Sequence, residues 1–177
     1  MDNQVQPQFQ PAGEFRAHVD GQDFVRLCVG EVMTPHVVTV EAHESVERAA
    51  YLMEECDCGA LPVVNEKGEL TGMVTDRDIA LRVVGRARDA ARSSVADCMS
   101  EKAYFCHVGQ RVLDCMRQMS HHQVRRIPIV DDERHVVGIV SQADLARRAS
   151  THPASDDQRA VADTLSSVSE PSSPYYR

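Results

Sequence analysis

Two stretches of the chain carry the same hydrophobic phrase. In the first, Ser45 precedes Val46, Ala49, Ala50 and Met53, which fall at i, i+3, i+4 and i+7. That spacing predicts a helix with one buried face, and the serine predicts its N-cap. Two apolar runs follow, Ala60 to Val64 and Leu70 to Thr75, separated by the polar, glycine-containing stretch Asn65 to Glu69. Short runs around such a loop predict a β-hairpin. A second helix is predicted from Asp76 to about Val84, and a short extended lead-in at Thr39 and Val40. The second phrase repeats each step: lead-in Phe105-Cys106, stripe Val112, Cys115, Met116 and Met119, and strands Ile127 to Val130 and Val136 to Ser141 around Asp131 to Arg134. Its last helix runs from Gln142 to about Ala149.

The two phrases are one unit copied. Setting Met33 on Met99 fixes an offset of 66 residues, which without a gap also pairs Val46 with Val112, Met53 with Met119, Pro62 with Pro128 and Val64 with Val130. Gly72 then meets Gly138, Val74 meets Val140, Asp78 meets Asp144 and Ala80 meets Ala146. Nine identities in one register exceed the roughly three that average composition would give by chance. The predicted fold class is α+β, two β-α-β-β-α repeats packed as a pseudo-two-fold pair with flexible N- and C-terminal tails. A unit of about 55 residues buries too little apolar surface alone, so the copies are expected to share one body with clefts between them.

The expected boundaries are an N-terminal arm over 1–26, repeat 1 over 27–84, a connector over 85–94, repeat 2 over 95–149 and a disordered tail over 150–177. The arm is rich in Gln and Pro, and the tail in Ser, Pro and Asp with a short helix expected near Ala160 to Leu165. A formal charge of −8 argues against a nucleic-acid surface. No apolar run approaches the roughly 20 residues of a membrane span. The six cysteines form no CxxC pair and follow no signal peptide, which points to a reducing, cytoplasmic setting.

The chemistry sits at the end of each hairpin, in Gly72-Met-Val-Thr75-Asp-Arg77-Asp78 and Gly138-Ile-Val-Ser141-Gln-Ala-Asp144. A hydroxyl residue opening a helix three positions before an aspartate forms a capping box. The same atoms can serve a ligand, because a helix start attracts an anion and a carboxylate accepts the two hydroxyls of a ribose. Capping alone leaves Gly72 and Gly138 unexplained, since glycine weakens a strand unless something approaches its backbone.

This repeated grammar of helix, apolar-Pro strand, Gly-x-Val-Thr/Ser-x-x-Asp and helix resembles the cystathionine-β-synthase (CBS) repeat family over about Val29 to Arg148. His122 to Ile129 and Thr75 to Ala80 further resemble small stand-alone CBS pairs of bacterial stress responses. The resemblance implies adenosine-ligand clefts for AMP, ADP, ATP or S-adenosylmethionine as regulatory ligands, with no obligatory cofactor. Asp78 and Asp144 would hold ribose, and Thr75 and Ser141 would meet phosphate or nearby oxygens. The backbone of Gly59, Ala60, Leu61 and Pro62, and of Arg126, Ile127 and Pro128, would border adenine together with Thr39. It also implies a disc-shaped homodimer joined through helices, and a regulated effector protein.

The copies differ where Arg125-Arg126 replaces Gly59-Ala60, where Arg77 faces Ala143, and where Phe105 replaces Thr39. Arg125, Arg126 and Arg77 are candidate phosphate contacts, since guanidinium grips phosphate bidentately. Read as bland surface, they are ordinary solvated charges. Cys56-x-Cys58, His107, His121 and His122 would be the ligands of a metal or thiol stress sensor, but they lack the spacing of a tetrahedral zinc set, and no metal residues are assigned. No nucleophile elbow, HExxH or phosphate-binding loop is present, so no catalytic residue is assigned and an enzyme is not expected. The expectation is an adenosyl-ligand sensor acting on a partner, with a ligand-free dimerisation or scaffold module as the alternative.

Overall fold

The computed structural model describes residues 24–150 and 155–169. Each repeat builds what its pattern dictates. In repeat 1, β2 (Val40–Glu41) leads into α1 (Val46–Glu55), the hairpin β3 (Ala60–Val64) and β4 (Leu70–Thr75), then α2 (Asp76–Arg82). In repeat 2, β5 (Cys106–His107), α3 (Val112–His122), β6 (Arg126–Val130), β7 (Val136–Ser141) and α4 (Gln142–Ser150) follow in the same order. Ser45 caps α1, its hydroxyl accepting from the Arg48 backbone N–H at 3.1 Å. In each hairpin the antiparallel pairing slips by one residue at the same place, between Val63 and Val64 and between Ile129 and Val130.

The sheets do not divide where the repeats divide. A strand ahead of repeat 1's own elements, β1 (Thr34–Pro35), pairs antiparallel with β7, giving the sheet order β1-β7-β6-β5 beside the separate sheet β2-β3-β4. Reciprocally, the Met99–Ser100 segment ahead of repeat 2 bonds to β4: Met73 N–H donates to Ser100 O at 3.0 Å, and Ser100 N–H to Met73 O at 2.8 Å. Phe24, Leu27, Val29 and Val32 therefore lie in the core of repeat 2, with Val112, Cys115, Met116 and Ile127. Val95 and Cys98 lie in the core of repeat 1, with Val46, Leu61 and Val74.

Several backbone bonds that cross between the repeats have twins 66 residues away. The Val29 N–H donates to Gln110 O, and that of Val95 to Glu44 O, both at 2.8 Å. At the hairpin loops, Leu70 N–H donates to Arg134 O and Val136 N–H to Gly68 O. These reciprocal pairs are the pseudo-two-fold relation in hydrogen bonds.

The exchange corrects the reading of Gly72 and Gly138. A Cβ at Gly72 would stand 2.8 Å from Ser100 O, and one at Gly138 would stand 2.9 Å from Thr34 O and against the Met33 side chain. What approaches these glycines is the other repeat's lead-in strand, not a ligand.

The ends also differ from expectation. Residues 1–23 of the expected arm lie outside the described residues, as do 151–154 and 170–177 of the expected tail. Phe24, counted with the arm, is wholly buried. Within the stretch expected to be a disordered tail, α5 (Ser155–Ser169) packs on α3 and α4 and buries Val161, Thr164 and Val168. It exceeds the short helix expected near Ala160 to Leu165. Two valines buried at about 1.5–3 kcal/mol each offset part of the cost of ordering it. Among the described residues no helix is long and apolar enough to cross a membrane.

Candidate functional site

Each hairpin delivers its candidate residues to one end of its sheet. Ala60 pairs with Thr75 and Pro62 with Met73, while the Asp76 N–H donates to Gly59 O at 3.1 Å. In repeat 2, Arg126 pairs with Ser141 and Pro128 with Ile139, and Gln142 N–H donates to Arg125 O at 3.0 Å. The parallel ladders β2–β3 and β5–β6 begin only at Val63 and Ile129. Pro62 and Pro128, having no N–H to donate, stand where the paired register stops, so Thr39 and Phe105 lie just outside it and leave a gap in the pairing. Leu61 and Ile127 commit their side chains to the cores, so only their main chains face these gaps.

The two hydroxyl–aspartate stations are complete capping boxes. Thr75 donates from its backbone N–H and its hydroxyl to Asp78 Oδ2 at 3.1 and 2.6 Å, and its Oγ1 accepts from the Asp78 N–H at 3.1 Å. Ser141 and Asp144 repeat this at 2.9, 2.6 and 3.2 Å. Replacing Thr75 or Ser141 by alanine is expected to lower stability by about 1 kcal/mol, read as a fall in the urea midpoint at unchanged slope.

The other carboxylate oxygens meet arginines that the motif did not single out. Asp78 Oδ1 lies 3.4 Å from Arg82, and Asp144 Oδ1 accepts from Arg147. The i, i+4 and i, i+3 spacings were the available signal. Arg82 continues across the seam between the repeats, donating to Cys98 O at 2.6 Å and Met99 O at 2.9 Å. Arg148, its counterpart by offset, donates to Glu31 O at 3.0 Å.

The stations are unequal. The Asp76 carboxylate fills the space beside Gly59, where a Cβ would stand 2.8 Å from its Oδ2, and its Oδ1 accepts from the Arg77 N–H. At the matching place repeat 2 has Gln142, whose Nε2 is buried without a hydrogen-bond partner, alone among the buried side-chain nitrogens and oxygens of the described residues. Arg125 and Arg126 are exposed beside it. Phe105, which replaces Thr39, is covered by the Arg134 guanidinium 4.9 Å from its ring centroid.

Cys56 and Cys58 lie just beyond the end of α1, and His121 and His122 end α3. Burial, then the neighbouring Cys58 and Glu55, pushes the Cys56 thiol up, away from the thiolate that metal or redox chemistry uses. The one metal-capable group among the described residues joins Asp131, Glu133 and His135. Asp131 Oδ1 is already engaged there, accepting from the Glu133 and His135 N–H groups at 3.1 and 2.8 Å to close the β6–β7 turn.

Paired hairpins, exchanged lead-in strands and two Thr/Ser-x-x-Asp stations define a tandem α+β repeat, and the chain belongs to the CBS domain family, whose model matches residues 29–85 and 95–151. It is 42% identical over 118 residues to the CBS domain-containing protein YhcV of Bacillus subtilis, covering 67% of this chain and 82% of that one. Hypoxic response protein 1 of Mycobacterium tuberculosis is 34% identical over 122 residues, covering 69% and 85%. A crystal structure of hypoxic response protein I with two coordinated zinc ions superposes with a TM-score of 0.63 at 32% identity, over 68% of this chain and 98% of that one. The CBS pair of protein MJ0100, in complex with 5-methylthioadenosine and S-adenosyl-L-methionine, has a TM-score of 0.61 at 27% identity, over 71% and 97%. CBSX2 in complex with AMP has 0.60 at 25%, over 70% and 96%.

Proposed function

We propose that the chain is a non-enzymatic, cytoplasmic regulatory module that binds an adenosine-containing ligand between strand edge and helix start, and transmits occupancy to a partner protein. Similar CBS pairs crystallised with AMP, and with methylthioadenosine and S-adenosylmethionine, support the ligand class. The observation that carries the reading for this chain is the orphaned Gln142 Nε2 beside Arg125 and Arg126. Capping accounts for Thr75, Asp78, Ser141 and Asp144, but it leaves a buried donor unmet, and such groups normally have a partner.

In this reading Asp144 and Asp78 accept ribose hydroxyls, and Thr75 and Ser141 meet the 5′ side of the sugar. Adenine lies along the main chain of Ala60 to Pro62 or Ile127 to Pro128. Arg125, Arg126 and Gln142 draw a phosphorylated ligand to repeat 2, whereas Asp76 opposes an anion in repeat 1 and leaves Arg77 as its only added cation. A ribose drawing on Asp78 competes with Arg82, which holds the Cys98 and Met99 carbonyls of the exchanged segment. Ligand binding thereby biases how the repeats sit on each other, by as much as its affinity differs between the two arrangements.

Thermal unfolding of the full chain with AMP, ATP or S-adenosylmethionine tests this. At 100 times its dissociation constant the ligand adds about 2.7 kcal/mol, a rise of roughly 5–10 °C in Tm for a chain of this size. Arg126→Ala, which removes an exposed side chain and keeps the backbone pairing with Ser141, is expected to abolish the rise for AMP while leaving the unliganded Tm in place. A flat response to all three ligands would favour a ligand-free scaffold whose aspartates only cap helices.

A further inference from the structure

The two stations are tied to the seam differently. In repeat 1 a single arginine serves both. Arg82 Nη1 stands 3.4 Å from Asp78 Oδ1 and donates to Cys98 O at 2.6 Å and Met99 O at 2.9 Å. A guanidinium Nη carries two hydrogens, so three acceptors compete for two bonds. The two carbonyls belong to the exchanged segment: Cys98 is buried in the core of repeat 1, and Ser100 pairs with Met73 of β4. From there the chain runs into Phe105 and β5 of repeat 2.

Repeat 2 divides the same work between two residues. By the offset of 66, Arg148 matches Arg82 and Arg147 matches Leu81. Among the described residues Arg147 is the only cation paired with Asp144; its side chain is 72% exposed, and it bonds to nothing in repeat 1. Arg148 holds its side of the seam through Glu31 O at 3.0 Å, apart from Asp144. Repeat 1 has Leu81 in place of the extra arginine, so Asp78 draws on the residue that also grips the seam.

We propose that repeat 1 holds the transmitting site and repeat 2 a silent one, an inference that rests on the adenosyl-ligand reading above. Ribose hydroxyls donating to Asp78 satisfy its carboxylate and weaken its pull on Arg82. Both Nη1 hydrogens then turn to Cys98 O and Met99 O, and the seam tightens. The same ribose on Asp144 displaces only Arg147, which ends in solvent. Arg82 is thus a positioning residue that carries occupancy from the carboxylate to the lead-in of repeat 2.

Amide hydrogen exchange of the full chain, with and without AMP, ATP or S-adenosylmethionine at a concentration giving the full rise in Tm, reads the seam directly. The control is internal: Met73 and Ser100 have twins in Ile139 and Thr34, and a general stabilisation slows both pairs alike. With Asp78 occupied, exchange at Met73 and Ser100 is expected to slow about tenfold more than at the twins, the worth of one strengthened charge-assisted hydrogen bond. Leu81→Arg, at an exposed position, gives Asp78 the i, i+3 partner that Asp144 has. It is expected to keep the Tm rise and lose the difference between the pairs. A difference that survives Leu81→Arg comes from the ligand's own contacts and overturns the proposal, as does equal slowing at both pairs or greater slowing at the twins. A Tm rise that Asp78→Ala leaves intact also overturns it, because repeat 1 then takes no ligand. In each of these cases the adenosyl-ligand reading stands; the absence of any Tm rise removes that reading, and the proposal with it.

Discussion

Phe24→Ala is expected to destabilise the protein by about 3–5 kcal/mol, the cost of emptying a fully buried aromatic site. Phe24 is 0% exposed and packs within the core of repeat 2, although the nearest part of its own repeat in sequence lies elsewhere. A second cost adds to the cavity. The Leu27 carbonyl accepts from the Val112 N–H at the start of α3, and Val29 N–H donates to Gln110, so loosening this segment leaves the first turn of α3 without backbone partners. Denaturant unfolding followed by circular dichroism should show a midpoint shifted far below that of the parent protein. If Phe24 instead belonged to a solvated arm, the shift would stay within about 0.5 kcal/mol, as for surface substitutions.

Gly138→Ala should cost about 1–3 kcal/mol through overpacking. The new methyl would fall 2.9 Å from the Thr34 carbonyl oxygen and against the thioether of Met33. Met33 is flexible and can yield, but the Thr34 oxygen belongs to a strand bonded to β7 and cannot move without opening the ladder. Gly72→Ala meets Ser100 O in the same way. If these glycines existed to admit a ligand, both variants would keep the parent stability and lose only ligand response. A fall in Tm without any ligand present, measured by differential scanning calorimetry, distinguishes the two causes.

These residues also mark how far the sequence could be read. Helix and hairpin within each repeat were legible because the stripe Val46–Met53 and the runs Ala60–Val64 and Leu70–Thr75 are local patterns of period near 3.6 and of short continuous burial. The offset of 66 doubled that information. The partner of a two-residue strand was not legible: nothing in Thr34-Pro35 says which sheet it joins. The unusual glycines were visible, but the backbone oxygens that approach them, of Ser100 and Thr34, are 28 and 104 residues away in sequence, and a ligand filled the gap in the argument. Helix α5 hid differently. Val161, Thr164, Leu165 and Val168 have helical spacing, but the surrounding Ser and Asp read as a tail.

At the stations the sequence located Thr75, Asp78, Ser141 and Asp144 and their twofold role. It missed that Arg82 and Arg147 occupy the remaining carboxylate oxygens, although their spacing was available, because several arginines nearby offered equal claims. The unmet Gln142 donor had no signal at all, since burial of one amide nitrogen is set by tertiary packing that no local pattern encodes.

The exchanged lead-in segments bear on how the chain is made. A ribosome adding about 5–20 residues per second releases the hairpin of repeat 1 before Val95 and Cys98 exist to finish its core. Phe24, Leu27, Val29 and Val32 wait longer still, until β7 and α4 have emerged. Neither half can fold and bank its stability first. The nascent chain carries an exposed apolar segment through most of its synthesis, and the high contact order of these closures makes folding slow and all-or-none once the last helix of repeat 2 is free.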